Sequence, residues 1–178
     1  MSLRRMTLFR AVRRFRGDHK ASAAVEFAFI APIFFGLLFA ILDVAMIFFA
    51  GQTLETATQT AARLILTGQA QNGGYSQTQF KTDFCNNIVA LITCSNVDID
   101  VASFNSFGNV TLTNPVNNGT YSNSGFGYSP GNAGDTVVVR AFYQWPIFVP
   151  TFGFNPSNVA GNKYLLTSTA AFRNEPYH

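Results

Sequence analysis

Side chains that carry acid–base chemistry are scarce and badly placed for it. His19 lies in a basic leader and His178 is the last residue, so no internal imidazole is on hand for a Ser or Cys nucleophile. Asp98 and Asp100 sit two apart in an alternating apolar/polar stretch and face the same way from a strand. That is the spacing of a carboxylate pair, but two acids on a solvent face have water as their partner, with Ca²⁺ as the metal alternative. Cys85 and Cys94 are the only cysteines. Nine apart with no nearby His, they cannot complete a zinc site; outside the cytoplasm they read as a disulfide. A bridge closing about ten residues is worth roughly 3 kcal/mol of chain entropy, less any strain. No phosphate-cradling glycine loop or nucleotide fingerprint occurs. The chain is therefore expected not to be an enzyme, with no cofactor and no metal.

What these residues hang on is dominated by one greasy stretch. Phe27–Leu42 is unbroken, and with Val44–Ala50 beyond Asp43 it extends far enough, about 36 Å as a helix, to cross a hydrocarbon core of about 30 Å. Ahead of it stand Arg4, Arg5, Arg10, Arg13, Arg14, Arg16 and Lys20 against Asp18 alone. Behind it Arg63, Lys81, Arg140, Lys163 and Arg173 are balanced by Glu55, Asp83, Asp98, Asp100, Asp135 and Glu175. This asymmetry predicts a single membrane pass, with a cytoplasmic leader at 1–20 and the large C-terminal part outside. A cleaved signal peptide is the rival, but its apolar region is shorter and ends at a small-x-small site. The net charge of +3 belongs to the leader, whose neighbours are anionic lipid head groups. Downstream no basic patch interleaves with aromatics, so nucleic acid is not an expected partner.

Glu26 stands at the threshold, in Ala21-Ser22-Ala23-Ala24-Val25-Glu26-Phe27. An acid at a bilayer edge either stays solvated at the head groups or asks for a partner. Asp43 follows about 26 Å further along the helix, near the outer surface, and is expected to snorkel or be solvated. Gly36 and Ala40 form a small-xxx-small pair for close helix packing. Past Gly51 the pattern becomes amphipathic, with Leu54, Ala57, Ala61, Leu64 and Ile65 on one face and Glu55, Gln59 and Arg63 on the other. The helix is expected to reach about Thr67, with Gly68 as its C-cap, so that 21–68 forms one element.

The small residues before Val25-Glu26-Phe27-Ala28, the long helix, Gln52-Thr53-Leu54-Glu55 and Ala61-Ala62-Arg63 together resemble the TadE-like family. Its members are minor pseudopilins of the tight-adherence (Tad) pilus, a branch of the type IV pilus systems. Tyr143-Gln144-Trp145-Pro146 and Ala171–Tyr177 are similar to the family's closing pattern. The resemblance implies that a prepilin peptidase cuts between Ala21 and Ser22, making Glu26 the fifth mature residue. The new amine would pair with Glu26 of the same or a neighbouring subunit and set axial register. Ala21 departs from the usual Gly before the cut, so retention of the leader stays open. The partners implied are other Tad pilins and pseudopilins, inner-membrane assembly proteins and the peptidase, and the function implied is pilus assembly. A membrane-tethered binding or adhesion module that never enters a filament is the alternative.

The rest, 69–178, is expected to be an α+β head: a linker at Gln69–Gln77, a helix capped by Ser76 or Thr78 and running to about Ile92, and a small antiparallel sheet. Its strands are placed at 96–104, 110–113, 136–143 and 164–172. Asn105–Asp135, rich in Asn and Gly, reads as a long loop that is hard to pack, either bland or a partner-binding surface. Its Asn109 and Asn118 glycosylation patterns are expected by chance. Trp145–Phe152, with its prolines, is excluded from a central strand and either closes the base of the core or meets the membrane or another subunit.

Overall fold

A computed structural model describes residues 19–88, 91–148 and 155–176. The leader cations before residue 18 and the segment Val149–Phe152 lie outside the described residues. The architecture is α+β: a long N-terminal helix, then a head of short helices and an antiparallel sheet.

Helix α1 spans His19–Leu66 and carries Pro32 inside it. Proline has no N–H, so the carbonyl of Ala28 loses its usual helical donor. The helix stops where the sequence says it must: Gly68 takes φ 74° and its N–H returns to the Ile65 carbonyl at 3.0 Å. The next residues are not all linker. Gln69–Asn72 forms one further turn, α2, because Asn72 N–H reaches the Gly68 carbonyl and Ala70 is buried by the head.

Helix α3, Gln77–Cys85, begins with Ser76 accepting from the Gln79 N–H. It ends well short of the expected Ile92. Asn86 and Asn87 turn the chain, and the Cys85–Cys94 disulfide holds that turn closed. Of the expected apolar stripe, Phe80, Phe84 and Ile92 are buried, whereas Leu91 is exposed.

The sheet has order β1-β4-β5, from Val97–Phe104, Thr136–Pro146 and Lys163–Arg173, all antiparallel. Its first face presents Val97, Ile99, Val101, Val137, Val139 and Ala141 to a core shared with α1 and α3. There Ala50, Ala57 and Ala61 let the helix lie close to the strands. The buried Thr58 hydroxyl is satisfied by the Leu54 carbonyl at 2.8 Å. Pro146 corrects the expectation about prolines, because it ends the central strand. β1 has already stopped pairing at Tyr143, and the Lys163 carbonyl opposite Pro146 turns outward to Asn158 and Val159 N–H, so no ladder bond is lost.

The second face overturns two expectations. No strand forms at 110–113; instead β2 (Val116–Asn117) and β3 (Thr120–Tyr121) make a hairpin. Its turn is Asn118-Gly119, both at positive φ, 49° and 75°. This part of the Asn-rich segment packs over the sheet, with Val116, Tyr121 and Phe126 against Phe142, Val159 and Leu165. Nor do Asp98 and Asp100 face water. Asp98 accepts from the Tyr121 hydroxyl at 2.8 Å and from Asn123 at 3.0 Å. Asp100, 6 % exposed, accepts from Gly127 N–H and from Arg140 Nε and Nη2, the latter at 2.6 Å. Arg140 also donates to the Thr113 carbonyl at 2.8 Å and lies 5.7 and 5.5 Å from the ring centres of Phe126 and Phe142. The two acids are the clasp that holds 113–127 onto the sheet.

Removing one partner of a buried ion pair strands the other charge. Asp100→Ala should therefore cost about 3–5 kcal/mol in urea unfolding of the detergent-solubilised protein and open 113–127 to protease. A loss under about 1 kcal/mol would mean the aromatic rings alone keep Arg140 in place. Reduction of Cys85–Cys94 should cost roughly 3 kcal/mol by the same assay.

Candidate functional site

Residues 23–42 of α1 carry no head. Phe27 is 66 % exposed and Phe29 75 %, and the helix is long and apolar enough to cross a membrane. Glu26 is exposed at the start of this bare length, directly before Phe27. Ala21 and Ser22 fall on helical backbone, with side chains outside the described residues. Gly36 and Ala40, one turn apart, lie half-buried in the middle of the bare length. Glu26, Gly36–Ala40 and the cysteines are thus spread along the molecule, not gathered into a pocket.

From Asp43 onward one face of α1 enters the head: Asp43, Ile47, Ala50 and Leu54 are buried in succession at helical spacing. Asp43 is not solvated as expected. It is 4 % exposed, and its Oδ1 has no hydrogen-bond partner. The reason is rotational, since it shares the face on which the head sits. On the opposite side Phe48 and Phe49 remain 70 % and 52 % exposed.

The seat of the helix is fixed by polar contacts that sequence patterning missed. Glu55, expected on the solvent face, is half-buried and accepts from the Ser168 hydroxyl of β5 at 2.7 Å. Beyond the far end of α1, Asn174 is buried and donates to the Pro130 and Asn132 carbonyls. Gln71 also donates to Pro130, and Glu175 N–H donates to the Leu66 carbonyl. The chain's closing segment thus locks the helix end to the loop layer.

Residues 21–63 match the family model for TadE-like protein. The TadE-like match takes in the small residues before Glu26, the whole bare length and the head-seated turns up to Arg63, and it stops before the sheet. Neither a curated protein nor a solved structure matches the chain.

Among the described residues, no three His, Cys, Asp or Glu gather to hold a metal ion. A cleft of 410 Å³ lies over the second face between Leu112–Val116 and Thr167–Thr169. Its one charged group, Arg140, is already committed to Asp100 and Thr113, so the cleft lacks the convergent polar groups of a small-molecule site.

Two phenols near the clasp set an alkaline limit. Burial, then the hydrogen bond to Asp98, holds the Tyr121 hydroxyl well above its usual 10, and burial, then Tyr75, pushes Tyr128 up to about 12. Below pH 10 these phenols are neutral folded or unfolded; above it the unfolded chain ionises first, so stability falls as pH rises from 10 towards 12. Thermal unfolding at stepped pH should show that slope, and Tyr121→Phe should flatten it. Asn174→Ala should lower stability by about 1–3 kcal/mol through the two hydrogen bonds it removes.

Proposed function

We propose that this protein is a minor pseudopilin that takes part in assembling a Tad-type pilus at the bacterial inner membrane. The observation that carries the reading is the coincidence of the TadE-like match with a helix that is bare over residues 23–42 and carries Glu26 near the start of that length. The bare length packs laterally against other pilins or pseudopilins, with Gly36 and Ala40 allowing close approach. The leader stays cytoplasmic, the head faces the periplasm, and a prepilin peptidase cuts at Ala21–Ser22. Glu26 then sets axial register with an amine of the same or an adjoining subunit. The head selects partners among pilus subunits and assembly proteins, and the chain performs no catalysis.

A tethered binding or adhesion module that stays in the membrane is the second reading, favoured by Ala21 where the family has Gly. Deletion of the gene separates the two: loss of surface pili supports assembly, and normal pili with another envelope defect supports the module. Within the assembly reading, Glu26→Ala should abolish co-purification of other pilins with the detergent-extracted protein and sharply reduce piliation, while the Cys85–Cys94 head stays folded. Mass spectrometry of the wild-type protein should show loss of the leader, and an intact leader beside an active peptidase would count against the cut.

A further inference from the structure

The base of the head has an aromatic edge that the assembly reading does not use. β5 runs in the same direction as α1: a side chain at Gly51 would meet Leu166, Glu55 meets Ser168, and Leu66 meets Glu175. Strands rise about 3.3 Å per residue and helices about 1.5 Å, so Lys163 and its partner Pro146 stand roughly 10 Å below Leu166, level with Val44. Phe148 lies two residues further on, at the membrane-facing base, and is 64 % exposed. Its neighbour Trp145 is buried, with the two rings edge-to-face at 6.3 Å. Phe48 and Phe49 are exposed on the other side of α1, little more than a turn above that level.

The bilayer's own dimensions say what these rings meet. Residues 23–42 span roughly 30 Å, the hydrocarbon core, and residues 23–49 roughly 40 Å, the core plus its interfacial layers. Phe48 and Phe49 therefore fall at the outer interface, and Phe148, roughly 7 Å below Pro146 at strand rise, at the border between that layer and the hydrocarbon core. They continue the exposed apolar surface of the bare helix without a polar break, since Leu42 and Met46 between them are also exposed.

Resting on the reading of α1 as a membrane span, we infer that the base of the head is set into the outer interfacial layer of the bilayer, with Phe48, Phe49 and Phe148 as an aromatic collar against lipid. The collar places the head over Asp43, whose buried oxygen without a hydrogen-bond partner would otherwise meet acyl chains. The occupant is lipid, not a second protein.

The test uses the full chain with its native disulfide, reconstituted dilutely into phosphatidylcholine/phosphatidylglycerol vesicles. An environment-sensitive fluorophore is attached at F148C, at F48C, at F34C within the span and at N72C beyond the far end of α1. A lipid spin-labelled near the head group should quench positions 148 and 48 at least about twofold more than position 72. If position 34 is quenched by a lipid spin-labelled deep in its acyl chain while 48 and 148 behave like 72 towards the head-group label, the span stands and the collar is overturned. Shielding of 148 from water without lipid quenching overturns it too, in favour of a protein contact. A position 34 that a lipid spin-labelled deep in its acyl chain fails to quench removes the span itself, and the collar with it.

Discussion

One unbroken helix must satisfy two solvents, and the rest of the molecule follows from how it does so. Over residues 23–42 apolar side chains point in every direction, a distribution stable only where the whole circumference is apolar. From Asp43 the same helix turns one-sided, and its buried face becomes the central rib of a water-exposed head. A sheet alone could not bury both of its faces. α1 and α3 cover one, and the hairpin layer covers the other. The hairpin stays because Asp98, Asp100 and Arg140 tie it down, so a polar clasp on the far face completes what the helix begins on the near one.

The alanines of the seated half explain why the helix lies so close to the strands. Ala50, Ala57, Ala61 and Ala62 replace the larger residues that fill most helix–sheet contacts, and each is at most 3 % exposed. Close approach brings Glu55 within reach of Ser168 and lets the last helical carbonyl receive Glu175 N–H. Because these alanines lie within or beside the TadE-like match, the same stretch of sequence serves the bare span and its seat in the head.

Elements written in local periodicity were legible: the apolar helix and its end at Gly68, the alternation of β1, the β-branched runs of β4 and β5, and the cysteine pair. What escaped depended on partners distant in sequence. Asp98 and Asp100 have the pattern of a solvated strand face, and only a segment some 20 residues later buries them. Asp43 and Glu55 look like surface acids because their burial is decided by which side of α1 the head occupies. The hairpin is the exception, since Asn118-Gly119 between Val116 and Tyr121 is a local turn signal within a segment whose composition otherwise reads as a long loop. Helix α3 is shorter than its sequence suggests because apolar residues continue past Cys85, whereas the disulfide and two asparagines bend the backbone away.

The continuity of α1 gives the molecule the mechanics of a lever. No loop separates the bare part from the part bolted to the sheet, and Gly51 lies mid-helix against Leu166 without breaking it. Any tilt of the membrane end is delivered undiminished to the other: ten degrees swings Leu66 by about 6 Å relative to Asp43. Neighbours that rotate or lean the buried shaft would thereby steer the outer body, with no change in its internal shape.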